Sequence, residues 1–178
     1  MLITADDKYY FYLNGIKITN TKSDWKTVDK YPVTLVDGKN LIAVWSKDEG
    51  RDEGVLVEVW HDGQLIDNSN SSWKSLHANN PPTNWANLAY DDGRWVSSRN
   101  TRNSDDKAEA KLDGQSVFSD ETQWMWCDST NDDEECRFRK EFNIGSSGAA
   151  VGIEESSWGD SEGNSTSGSS NGTTSGNP

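Results

Sequence analysis

Hydrophobic and polar residues alternate along this chain in short runs, and several runs end at an Asn-Gly or Asp-Gly pair. Tyr9-Tyr-Phe-Tyr-Leu13 is apolar without a break. Four rings in a row suit a pleated strand covered on both faces. Asn14-Gly15 follows, and both residues tolerate positive φ, so a tight hairpin is predicted. Ile16 and Ile18 then alternate with Lys17 and Thr19 as a returning strand. Beyond the turn Asp37-Gly38, Asn40-Leu-Ile-Ala-Val-Trp45 reads as a buried strand. In Val55–Trp60 the alternation puts Val55, Val57 and Val59 on one face and Leu56, Glu58 and Trp60 on the other. Asp62-Gly63 turns that strand into Gln64-Leu65-Ile66, and a short strand at Ala110-Lys-Leu112 precedes Asp113-Gly114. Gln123–Cys127 and Cys136–Ile144 flank an acidic turn and are predicted to form a hairpin. In it Phe138 and Phe142 share one face, with Lys140 between them. The pattern is all-β.

From Gly145 onward the periodicity stops. Of the 34 residues to Pro178, 24 are Gly, Ser, Thr or Asn. Such a segment cannot bury enough apolar surface to offset its ordering entropy. The chain therefore divides into a β body over 1–144 and a Ser/Gly/Thr-rich linker or tail over 145–178. Three N-x-S/T sequons stand at Asn70, Asn164 and Asn171, two of them in the tail, which also carries many hydroxyls for O-glycosylation.

Charge narrows the partners. The chain has 30 acidic and 17 basic residues, a net charge of −13, so a nucleic-acid ligand is not expected. No apolar run approaches membrane-spanning length, and no membrane insertion is expected. Met1-Leu2-Ile3 runs straight into a strand with no basic region or apolar core segment before it. The sequence thus reads as cytosolic or as a mature or trimmed chain, and two cysteines with three sequons favour the second. Cys127 and Cys136 lie at the two bases of the predicted hairpin, a spacing that suits a cystine; zinc would need more ligands than lie nearby. A cystine implies an oxidising compartment, outside the cell or on its surface.

Candidate chemistry is sparse. There is no nucleophile elbow, no H-E-x-x-H and no phosphate-cradling glycine loop, so no enzyme and no organic cofactor are expected. Clustered carboxylates at Asp6, Asp7, Asp48 and Asp52 are candidate calcium ligands. Trp25, Trp73, Trp85 and Trp95 fall in loops or at strand ends, where rings could stack on sugars or simply fill a core.

Several blocks carry a resemblance. Ala5-Asp-Asp-Lys-Tyr-Tyr-Phe-Tyr-Leu-Asn-Gly15 resembles the AD-x-x-Y-x-x-Y-x-NG hairpin of galactose-binding-domain-like jelly rolls, the accessory β-sandwiches of bacterial glycoside hydrolases such as the α-L-rhamnosidases. Val33–Trp45, Gly54–Val59 followed by Asp62-Gly63, and Trp85 with Tyr90-Asp-Asp-Gly-Arg-Trp95 resemble further blocks of that family. The resemblance covers about residues 2–144 and implies an antiparallel jelly-roll β-sandwich without catalytic residues, with Trp85 and Trp95 packed inward. The order of blocks differs. In the family the W-x-W and (Y/F)-x-RK-x-F segments come first, whereas here Trp124-Met-Trp126 and Phe138-Arg-Lys-Glu-Phe142 come last. A circular permutation, a window cut from tandem repeats, or a hairpin that completes a neighbouring subunit would each produce this order. In the third case Trp124, Trp126, Phe138 and Phe142 form an assembly hairpin, and copies of the chain join head-to-tail. The expected function is a non-catalytic, glycosylated extracellular unit of a surface or filamentous assembly. The alternative is a carbohydrate-binding module with glycans as partners.

Overall fold

A computed structural model describes residues 1–50, 52–77, 80–101, 107–128 and 135–145. The chain divides into a body, Met1–Ser147, and a second unit, Gly148–Pro178, which lies outside the described residues along with the sequons Asn164 and Asn171.

The body is an antiparallel β-sandwich. Sheet A contains β1 (Leu2–Asp6), β5 (Asp29–Lys30), β7 (Gly54–His61), β8 (Gln64–Asn68), β11 (Arg99–Asn100) and β14 (Met125–Trp126). Its order is β11-β14-β7-β1-β5, with β8 also paired to β7. Sheet B contains β2 (Lys8–Leu13), β3 (Ile16–Lys17), β4 (Lys22–Ser23), β6 (Gly38–Lys47), β9 (Lys74–His77), β10 (Val96–Ser97) and β15 (Glu135–Ile144). Its order is β10-β9-β15-β6-β2-β3, with β4 also on β2. A separate two-stranded ribbon, β12 (Lys111–Leu112) and β13 (Gln115–Ser116), lies between β11 and β14 in sequence.

The predicted turns are present. Asn14-Gly15, Asp62-Gly63 and Asp113-Gly114 all have positive φ at both residues and close β2–β3, β7–β8 and β12–β13. The strand after Asn14-Gly15 is only two residues long. Tyr31–Asp37 is not a strand, yet Tyr31, Val33 and Leu35 still pack on the core with a period of two.

Between the sheets the side chains obey the strand alternation. Ile3, Ala5, Val55, Val57, Val59 and Met125 of sheet A meet Tyr9, Phe11, Leu13, Ile42, Val44, Phe138, Phe142 and Ile144 of sheet B. The row Phe11–Val44–Phe138 crosses three strands in register. Gly54 is needed where it stands, because a Cβ there would lie 2.6 Å from Trp124 Cε3.

The C-terminal segment differs from the predicted hairpin. β14 belongs to sheet A, on β7 and β11, whereas β15 belongs to sheet B, between β6 and β9. Cys127 and Cys136 are disulfide-bonded, but the cystine joins one sheet to the other rather than closing a hairpin. The reason is burial. Trp124 packs on the outer face of sheet A, Trp126 and Phe138 meet in the intersheet core, and two strands of one flat hairpin could not reach both places. β15 pairs with β6 of its own chain over ten residues, from Glu135↔Lys47 to Ile144↔Gly38. Phe138 and Phe142 are thus buried inside their own sandwich, and exchange of this segment with a neighbour is not needed to complete the fold.

Tyr9 lies in this core with its hydroxyl donating to the Asp29 carboxylate, and Tyr31 Oη lies 3.4 Å away. Burial, more than these two partners, raises its pKa above the ordinary tyrosine value. For a group whose folded pKa is raised, the stabilisation is complete below the unfolded pKa, about 10, and is lost as pH rises through the folded one. An alkaline titration followed by phenolate absorbance should therefore show a phenol that ionises only on unfolding and is missing from Tyr9→Phe. Five tyrosines titrating as one class in the native protein would refute this.

Candidate functional site

Both outer faces of the sandwich are covered by irregular segments, and each cover is held by a buried charge. On sheet B the outward side chains Tyr10, Tyr12, Leu41, Ala43 and Trp45 are apolar, and the segment 80–95 lays Trp85, Ala86, Tyr90 and Trp95 over them. Arg139, on β15 opposite Ala43, is fully buried there. Its guanidinium donates to the carbonyls of Trp85, Asn87 (3.1 Å) and Tyr90 (3.3 Å) and to Asp92 Oδ2 (2.8 Å). It also lies 5.3 Å from the Tyr90 ring centroid.

On sheet A the arrangement uses an anion. Glu58, fully buried, accepts from Ser119 N (2.6 Å), Thr122 Oγ1 and Trp60 Nε1 (2.8 Å). Lys107 Nζ donates to the carbonyls of Ser119, Asp120 and Thr122 at 2.7–3.0 Å, so one turn is gripped from both sides. Val28, Leu56, Ala110, Phe118 and Trp124 fill the space beneath.

Packing decides the fate of the candidate sugar platforms. Trp73 is fully buried, with Nε1 donating to Asn68 O at 2.8 Å. Trp85 and Trp95 are buried and stacked on each other. Trp25 is half-buried, edge-on to Trp124, with Lys26 over its ring. Trp73 is packed in the intersheet core, and Trp85 and Trp95 are pressed from the cover onto the outer side of sheet B, so none of the three offers a free face to a sugar.

The chain matches no family model, no curated protein and no solved structure.

Two of the four carboxylates read as candidate calcium ligands, Asp7 and Asp48, hydrogen-bond the backbone of the loop after β6. Asp7 Oδ2 accepts from Glu49 N (2.6 Å), Asp48 Oδ1 accepts from Gly50 N (3.1 Å), Asp6 pairs with Gly54 in the β1–β7 ladder, and Asp52 is exposed. Among the described residues no three or more His, Cys, Asp or Glu side chains converge as a metal site. Nor is any helix among them long and apolar enough to cross a membrane.

Two of the concave places among the described residues bear on function. One is polar. Lys140, though on the inward side of β15, carries its amine out between the sheets to Ser72 Oγ (2.6 Å) and Asp67 (3.6 Å), beside the half-buried sequon residue Asn70. Burial, the largest influence on the Asp67 carboxyl, raises its pKa. Asn70 Oδ1 accepts from Ser72 N (2.8 Å), which closes an Asx turn over the sequon.

The other is apolar and lies where the cover on sheet A ends. Leu2 is opposite both Lys30 and Glu58 across the sheet, so the three share the outer face, and Trp60 follows Glu58 on the same side. Leu2, Lys30 and Trp60 line, with Met1, Leu112 and Val117, a cavity of about 280 Å³. Trp60 is 40% exposed, whereas Trp45, Trp73, Trp85, Trp95, Trp124 and Trp126 are buried. Its indole N–H is fixed by Glu58, which in turn is fixed by the 119–122 turn. The ring is thus presented rather than packed away. The alternation of Val55–Trp60 identified its face, but not that the cover stops short of it.

Proposed function

We propose that this chain is a non-catalytic extracellular structural module, a galactose-binding-like sandwich whose tail is glycosylated and whose copies build a surface or filamentous assembly. The observation that supports this most is the use of aromatic and charged groups. Six of the eight tryptophans among the described residues are buried, and Arg139, Glu58 and Lys107 all clamp covering segments. Side chains that would otherwise recognise a ligand are spent on making a rigid, cystine-stapled block. Copies would then join through sheet edges, outer-face contacts or the tail. Ile16 at one edge of sheet B and Val96 at the other are both exposed, which suits a head-to-tail contact.

A carbohydrate-binding module is the second reading, and the observation that favours it is exposed Trp60 beside a concave surface. Electron micrographs of the native protein at micromolar concentration are expected to show polymers. A monodisperse monomer that binds a glycan array, and loses that binding in Trp60→Ala, would overturn the structural reading in favour of the second.

A further inference from the structure

We infer that the apolar groove at Trp60 receives a short stretch of the tail of a second copy, residues 149–160. This rests on the assembly reading above and names the contact that would join the units.

The groove has a definite chemistry. Its walls are Met1, Leu2, Leu112, Val117 and the Trp60 ring, and its one charged lining side chain is that of Lys30. In a chain of net charge −13, a concave surface that presents a cation and no lining carboxylate is distinctive. Glu58, the nearest acid in the register, is buried and already holds Trp60 Nε1, Ser119 N and Thr122 Oγ1. Such a surface suits an apolar side chain flanked by negative charge. It suits a sugar poorly, because hydroxyls need several convergent polar partners and the lining supplies one.

The sequence contains one segment with that chemistry outside the described body. Between Gly145 and Pro178 the large apolar residues are Val151, Ile153 and Trp158, and all fall within Ala149-Ala-Val-Gly-Ile-Glu-Glu-Ser-Ser-Trp-Gly-Asp160. Glu154, Glu155 and Asp160 lie among them, and residues 145–178 hold no Lys or Arg. An aliphatic–acidic–tryptophan island is unexpected in a stretch made mostly of Gly and Ser. A tryptophan seated in an apolar pocket and a carboxylate near Lys30 would use both features, and the contact is heterologous, so it propagates.

The test uses the full chain. Sedimentation velocity across micromolar concentrations is expected to show concentration-dependent association. Trp158→Ala and Lys30→Glu should each weaken it by about tenfold or more, the range of a lost anchor side chain. A synthetic peptide of residues 149–160 should dissociate the polymers, and the same peptide carrying Trp158→Ala should not. Trp158 lies in sequence beyond the strands of the body and Lys30 is exposed, so unchanged melting of both variants will show that the body is intact. Association that persists unchanged in Trp158→Ala overturns the tail contact and leaves the assembly reading standing. A wild-type monomer at every concentration overturns both, as does peptide displacement by a glycan that itself binds the groove in a monomeric protein.

Discussion

Replacing Arg139 with methionine should lower the stability of the body by about 3–5 kcal/mol, the usual cost of removing one partner from a buried charge cluster. The substitution keeps most of the side-chain volume but deletes every donor. The carbonyls of Trp85 and Tyr90 then lose the guanidinium, Asn87 O is left with Tyr90 N at 3.1 Å, and the Asp92 carboxylate with the more distant Lys74 amine at 3.7 Å. For a body of this size the loss corresponds to a fall in melting temperature on the order of 10 °C. Arg139→Lys should recover little. A lysine ammonium cannot reach three carbonyls and a carboxylate with one planar fork. The damage should also be local before it is global, since the clamp holds the cover on sheet B. Limited proteolysis of Arg139→Met should therefore cut first within 80–95, while β6 and β15 remain paired. A stability change under 1 kcal/mol, or first cleavage elsewhere, would show that the cover is held by Trp85 and Trp95 packing alone.

This clamp also shows where reading residues in order stops working. The turns were legible because each is local: Asn14-Gly15, Asp62-Gly63 and Asp113-Gly114 need only their own φ values. The apolar faces of β2, β6 and β7 were legible because a strand alternates with period two. Even the existence of a cover over sheet B had a signal. Leu41, Ala43 and Trp45 are as apolar as Ile42 and Val44 between them, so β6 must be buried on both faces. What could not be read was the cover's path. Segment 80–95 has no period of its own, and its position is set by hydrogen bonds from an arginine about 50 residues later in the chain. Arg139 and Glu58 look like ordinary outward polar residues of half-exposed strands until the loops above them are placed.

The same limit explains the tryptophans. A tryptophan in a loop can be either a sugar platform or the plug of a loop, and only the partner surface decides. Trp85 and Trp95 face the apolar outer side of sheet B and became plugs, as the resemblance to galactose-binding-like domains implied. Trp60 sits on a regular strand, on the face it shares with Leu56 and Glu58, and there it borders a groove lined by Leu112 and Val117. The split of 124–126 and 135–144 between two sheets was hidden for a related reason. Two adjacent apolar runs predict strands, but neither run states which neighbour it pairs with.

The cystine gives the second large effect. Replacing Cys127 and Cys136 together with alanine should cost about 2–3 kcal/mol through loop entropy alone, for a sequence separation of nine. Both residues are fully buried in the intersheet core, so the lost sulfur packing adds to that figure. The structural consequence should be uneven. β15 is held by ten register pairs with β6 and four with β9, whereas β14 has two residues in register with β11 and one with β7. Without the staple β14 is the strand expected to loosen, and with it β11, whose partner it is. Amide exchange should therefore accelerate at Arg99, Asn100 and Met125 well before Phe138 or Val44. In the intact protein the buried sulfurs should resist a reductant until the body opens, so the rate of reduction should follow the unfolding rate and saturate with reductant concentration. Reduction in proportion to reductant under native conditions, or uniform loss of protection across both sheets in the double alanine variant, would mean that the cystine is not what fastens β14 to the sandwich.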